Sequence, residues 1–188
     1  MKMAKHVCPW WLGYFLISPV RRWLGQDAAE IVSPYVREGM TVFEPGPGMG
    51  FFTLELARRV GSSGKVIVVD VQPKMIAGLK RRAAKVDLLD RIEARVVSED
   101  SMGVKDLAGR ADFALAFAMV HEMPDAARFF SETVEVLKPG ATLLLAEPAG
   151  HVKQDKFDAE LQDAAEAGFI VAERPKIRRS HAALLKKA

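Results

Sequence analysis

Cysteine is almost missing from this chain: its 188 residues hold one, Cys8. A single thiol cannot form an internal disulfide or supply the paired thiolates of a structural zinc site. That excludes a secreted cystine scaffold and makes the reducing cytoplasm the expected compartment. His6 and Cys8 are too few to form a metal centre, so none is expected. There is also no large excess of charge of one sign. The 27 basic and 24 acidic side chains leave a net charge of +3, too mild to argue for nucleic acid by itself. Long apolar runs are lacking too. The stretch from Trp10 to Ile17 falls well short of the roughly 20 residues that span a bilayer. It has no small-residue cleavage site, and Pro19, Arg21 and Arg22 follow it, so it reads as part of the mature fold. The 14 glycines and 10 prolines are too dispersed for a fibrous or disordered chain.

What is present amounts to one domain, able to bury a core without a disulfide or metal. Strand and helix patterns alternate along it. Thr41–Glu44 is a short apolar strand that stops at Pro45-Gly46. Residues 51–60 have helical spacing and end in Gly61-Ser-Ser-Gly64. Val66–Val69 has the β-branched run of a strand buried on both faces. Pro73 opens a helix that continues through Ala83. Strands are predicted at 92–97 and 112–117. A helix from Pro124 is expected to close in a turn at Leu137-Lys-Pro-Gly140, before a strand at 141–146. A further helix covers 153–167, stopped by Gly168, and strands follow at 169–173 and 180–185. Such alternation points to βαβ units and a parallel sheet. Ligands of these sheets sit at the carboxyl ends of the strands, near the switch point after the first. The C-terminal 174–188 segment holds six basic residues and no acid. It reads as two edge strands with solvated lysines that discourage edge pairing.

At the switch point stands Glu44-Pro-Gly46-Pro-Gly48-Met-Gly50-Phe-Phe-Thr53. Glycines here permit unusual backbone angles and close approach of a ligand. The dinucleotide fingerprint G-x-G-x-x-G/A fails, because its sixth position falls on Phe51 or Thr53. Glu44 would also repel a pyrophosphate. The pattern E-x-G-x-G-x-G is satisfied instead, and it resembles the first motif of class I S-adenosylmethionine-dependent methyltransferases. The resemblance extends over about residues 26–188. Asp70 ends the second strand, where a carboxylate would accept from both ribose hydroxyls. Val71, Gln72 and Met75 follow near the family's adenine site, and Asp100 with Ser101 matches its place for an adenine-binding acid. Ala116 to Asp125 looks like the family's stretch after the fourth strand and brings in Ala118. Ala167-Gly-Phe169 looks like the start of its late hairpin. The resemblance implies an α/β, Rossmann-like, doubly wound sheet of about seven strands, mostly parallel with the last antiparallel. S-adenosyl-L-methionine would be the cofactor and S-adenosyl-L-homocysteine the product.

Its implied activity is methyl transfer to O, N or C of a small organic acceptor, with ubiquinone and menaquinone biosynthesis methyltransferases as distant relatives. His121 is the candidate general base, Glu122 the second candidate, and Glu147 could face the substrate. Relatives often cover the substrate with an insertion after the fifth strand, which is nearly absent here. Residues 1–25 are therefore expected to act as a lid, distinct from a core at 26–188. Trp10, Trp11 and Tyr14 would give apolar cover, and Arg21 would meet an anionic group. Arsenite methyltransferases need several cysteines, which argues against that chemistry. An RNA or protein methyltransferase, a non-catalytic cofactor-binding protein and a homodimer all stay open at this point.

Overall fold

The computed structural model describes residues 27–188. The lid residues Trp10, Trp11, Tyr14 and Arg21, and the division at residue 25, lie outside the described residues. Among the described residues five α-helices and seven strands follow one another. They are α1 (Ala28–Val32), β1 (Thr41–Pro45), α2 (Thr53–Arg59), β2 (Lys65–Asp70), α3 (Pro73–Ala84), β3 (Ile92–Val96), β4 (Ala111–Phe117), α4 (Ala126–Val136), β5 (Leu137–Pro148), α5 (Gln154–Glu166), β6 (Phe169–Glu173) and β7 (Ser180–Lys187). The strands form one sheet in the order β3-β2-β1-β4-β5-β7-β6. β1 to β5 run parallel, and β7 is antiparallel to both β5 and β6. This is the doubly wound sheet the sequence implied.

The central strands are buried on both faces because helices cover each side. Phe43, Ile67, Leu143 and Leu145 point into the layer beneath α4 and α5. Val42, Val66, Val68 and Leu144 point into the opposite layer beneath α2 and α3. Pro73 starts α3 as expected, since a residue without an N–H costs nothing in the first turn. Asp125 caps α4 by accepting from Arg128 N at 2.9 Å.

Two expectations are corrected. Leu137-Lys-Pro-Gly140 does not precede the strand: β5 begins at Leu137, which pairs with Ala111, and the chain bends inside it at Gly140, whose φ is 73°. A bulge then brings Phe113 opposite Thr142, which absorbs the proline and glycine without ending the strand. The C-terminal segment is not two edge strands either. β7 lies inside the sheet, between β5 and β6, and β6 is the edge on that side. Lys187 is not solvated there, since its Nζ donates to the carbonyls of Val134 and Leu137 at 2.7 and 2.8 Å. The last lysine thus satisfies carbonyls that the end of α4 would leave open.

Candidate functional site

The site lies where β1, β2, β4 and β5 end side by side. After β1 the chain turns through Gly46, Gly48 and Gly50, whose φ angles of 65°, 55° and 84° lie in the left-handed region. Gly46 N donates to Val69 O at 2.9 Å, which ties the loop to β2. A Cβ at Gly46 would meet the Met119 side chain at 3.1 Å, and one at Gly50 would meet Leu79 at 3.1 Å. A Cβ at Gly48 would meet nothing within 4 Å. The first and third glycines therefore permit packing beneath the loop, and the middle one faces open space. Glu44 is buried and accepts from Thr53 Oγ1 at 2.6 Å, so it joins the end of β1 to the start of α2.

Asp70 ends β2 beside this loop. Its carboxylate accepts from Gln72 N at 2.8 Å and from the backbone of Gly48. Burial pushes its pKa up to about 6; the two backbone donors oppose the rise and the charge of Glu122 adds to it. Val71 is half-buried after β2, and Met75 is buried in the first turn of α3. After β3 the order of exposure changes. Asp100 is exposed, whereas Ser101 donates to Glu132 on α4 at 2.9 Å and Met102 N donates to the same carboxylate at 2.7 Å.

The ends of β4 and β5 form the other half. Ala118 has a positive φ of 56°, rare for a residue with a side chain, and its N–H donates to Ala146 O at 2.7 Å. This kink turns the chain into a short 3-10 turn, Val120–Glu122. Glu147 is fully buried. Its Oε1 accepts from Val120 N at 2.8 Å and Met119 N at 3.2 Å. Its Oε2 accepts from His121 Nδ1 in a very short contact. His121 Nε2 lies 3.9 Å from Glu122 Oε1. With Nδ1–H given to Glu147, the lone pair of the neutral ring sits on Nε2. The Glu147 hydrogen bond raises the His121 pKa above its usual value; burial opposes the rise, and the charges of Glu147 and Glu122 add to it.

Residues 36–179 match a family model described as "Methyltransferase domain". This chain belongs to the methyltransferase domain family. An arsenite methyltransferase of Halobacterium salinarum is 31% identical over 109 residues, covering 58% of this chain and 27% of that protein. A ubiquinone/menaquinone biosynthesis C-methyltransferase of Brucella abortus is 26% identical over 116 residues, covering 62% of this chain and 42% of that protein. The chain thus spans less than half the length of these curated relatives. A crystal structure of an S-adenosylmethionine-dependent methyltransferase from Aquifex aeolicus superposes with a TM-score of 0.85 at 22% identity, covering 97% of this chain and 100% of that one. At that identity the likeness concerns the fold. S-adenosylmethionine is the cofactor that family and fold together imply.

The residues of this methyltransferase domain fit that cofactor. The open space over Gly48 admits a ligand against the backbone, and the Asp70 carboxylate stands beside it to receive hydroxyl donors. Glu44, the three glycines and Asp70 come together at the loop, with Met119 packed against Gly46. Asp100 is exposed after β3. Glu147 does not face a substrate, since its two oxygens hold the His121 ring and two backbone N–H groups. Glu132, which braces the loop after β3, was not foreseen; its only signal was an acid one turn into a helix interior. Glu160 on α5 was also missed. It is 4% exposed, neither oxygen has a hydrogen-bond partner, and burial, with the charge of Glu147 second, pushes its pKa up to about 7. Among the described residues no group of three or more His, Cys, Asp or Glu could hold a metal ion. No described helix is long and apolar enough to cross a membrane.

Proposed function

We propose that this methyltransferase transfers a methyl group from S-adenosylmethionine to an O–H or N–H of a small organic acceptor, with His121 as the general base. The observation that carries this reading is the Glu147–His121 pair at the carboxyl edge of the sheet. It directs the basic Nε2 away from the carboxylate that holds the ring. The cofactor, when bound, supplies a methyl on a sulfonium whose leaving group needs no proton. Asp70 accepts from the ribose hydroxyls, and Glu44 and the glycine backbone hold the amino-acid end. Asp100 and Ser101 are assigned to the adenine edge. As the C–S bond breaks and the new bond to the acceptor forms, His121 Nε2 takes the proton that the acceptor loses. Glu147 acts as a positioning residue by fixing the ring and its tautomer. Glu122 lies beside Nε2 and favours the imidazolium that results.

Acids at the acceptor face speak against a phosphodiester placed next to the reacting atom. The single cysteine speaks against arsenite as acceptor and fits a cytoplasmic setting. Trp10, Trp11, Tyr14 and Arg21 remain assigned to the cover of the acceptor.

The test uses cofactor with a labelled methyl group and a cell extract split into small-molecule, RNA and protein fractions. Label should enter the small-molecule fraction, and His121→Ala should slow it by about 10²–10⁴ fold. Label in RNA or protein alone overturns the small acceptor. No label in any fraction leaves a cofactor-binding protein without this activity. A fully active His121→Ala variant removes the general base.

A further inference from the structure

We propose that the acceptor carries an anionic group, a carboxylate or a phosphate, remote from the atom that receives the methyl, and that the loop between β6 and β7 receives it. This rests on the methyl-transfer reading above.

The topology puts this loop at the site. β7 runs antiparallel to β5, with Ser180 opposite Pro148 and His181 opposite Glu147. Residues 174–179 therefore lead up to the carboxyl edge of the sheet, where Glu147 holds His121. A hydrogen bond from Ala149 N to Arg179 O at 3.0 Å joins the loop to the segment that follows β5.

The loop is also held in place. Ile177 packs against the core layer that contains Phe113 and Leu184. Ser180 N donates to Ile177 O at 3.1 Å, closing a turn in which Arg179 has a φ of 60°. A bulky residue is strained there, which marks a fixed turn. On this frame Arg174, Lys176, Arg178 and Arg179 are all exposed, with no acid among them.

Protection of the sheet edge does not explain these charges. The edge strand on this side is β6, and its exposed residues include Ile170 and Val171. Cations that guard an edge stand on the edge strand itself. Here the last two, Arg178 and Arg179, stand next to Ser180, which pairs with Pro148 at the end of β5, while Arg174 follows Glu173 at the level of Leu184. Lys156 on α5 adds a cation at the same end, with its Nζ donating to His121 O at 3.4 Å. Glu173 and Asp155 are the nearest acids in sequence to the two basic segments, so the rim is predominantly but not wholly positive.

The interior has the opposite sign. Glu122 lies close enough to Asp70 to raise its pKa and stands beside His121 Nε2, and Glu147 lies buried behind the same ring. A fixed field of this kind, negative within and positive at the rim, selects an acceptor that is uncharged or cationic at its reacting end and anionic at its far end. Arginine suits both carboxylate and phosphate because its planar fork can give two parallel hydrogen bonds.

The experiment measures binding of three phenols to the full chain saturated with S-adenosylhomocysteine. They are 4-hydroxybenzoate, 4-hydroxyphenyl phosphate and the uncharged 4-hydroxybenzamide. At least one anionic phenol should bind about tenfold more tightly than the amide, and which one does so distinguishes the two anion sources. The variant Lys176→Gln/Arg178→Gln/Arg179→Gln should lose that preference while its S-adenosylhomocysteine affinity stays within twofold. Ile177 is kept so that the loop retains its anchor. Equal binding of all three phenols, no binding of any, or a preference that survives in the variant overturns the proposal. A 12-residue oligouridylate is the fourth probe. Binding of it alone, lost in the variant and falling steeply with salt, overturns the small anionic acceptor in favour of RNA. In every case the S-adenosylhomocysteine titration reports separately on the cofactor reading.

Discussion

The β1–β3 half of the sheet and the β4–β5–β7 half share one carboxyl edge but build their sites differently. In the first half, the functional groups are neighbours in sequence: Glu44 to Gly50 form one loop, and Asp70 to Met75 one strand-to-helix junction. In the second, His121 and Glu147 are 26 residues apart and meet only because β4 and β5 are paired. The first half offers backbone and two acids, Glu44 and Asp70, to a ligand. The second holds a buried network of carboxylates around one imidazole. A cofactor site can therefore be written as a local motif, whereas the acceptor site depends on tertiary pairing.

The two halves should separate under mutation. Within the acceptor half the largest effect is expected for Glu147→Leu. Removing the carboxylate leaves two buried N–H groups and the His121 ring without acceptors, at a cost of about 3–5 kcal/mol. Thermal unfolding should show a large loss of stability, and Glu147→Gln, which can still accept, a smaller one. A stable, fully active Glu147→Leu variant would end the idea of a positioning carboxylate.

Asp70→Ala comes next, on the cofactor side. Loss of two charge-assisted hydrogen bonds should weaken S-adenosylhomocysteine binding by about 10²–10³ fold. The stability of the acceptor half should hold. Calorimetry that finds unchanged affinity would remove Asp70 from the cofactor site. The same residue gives a pH signature. Its carboxylate must be ionised to accept, so affinity should fall as pH drops through about 6.

Smaller effects follow from Glu160. Its folded pKa of about 7 lies above the ordinary glutamate value. The neutral form suits the fold, so its contribution is fully present below the unfolded pKa and is lost as pH rises through about 7. Glu160→Gln should therefore match the parent near pH 5 and exceed it near pH 8 by about 1–2 kcal/mol, less than the full shift because water screens the rim of the cluster. A denaturation series with no pH-dependent gap would contradict this. Least affected should be Glu132→Ala, which loosens the loop after β3 and costs cofactor affinity a few fold.

The contrast between the halves also explains what could be read in advance. The glycine loop, Asp70 and the Pro73 helix were legible because turn geometry and helix starts are written in adjacent residues. The doubly wound sheet of about seven strands, with the last antiparallel, followed from the family resemblance those motifs carried. The start of β5 at Leu137 was not legible, since proline and glycine signal a turn and only pairing with Ala111 places Leu137 in the sheet. Lys187 looked like a solvated surface lysine, because nothing local shows that carbonyls from the end of α4 converge on its Nζ. Glu147 sits at a strand end, which suggests a residue open to ligand. Its burial came from the turn after β4 folding over it. Glu160 gave no local sign, as an acid on an amphipathic helix is ordinarily solvated.

The most direct test of the central claim is calorimetry of the full chain with S-adenosylhomocysteine and, separately, with NAD. The expected result is saturable binding of S-adenosylhomocysteine at one site per chain, much weakened in Asp70→Ala, and no binding of NAD. Binding of NAD without S-adenosylhomocysteine would contradict it.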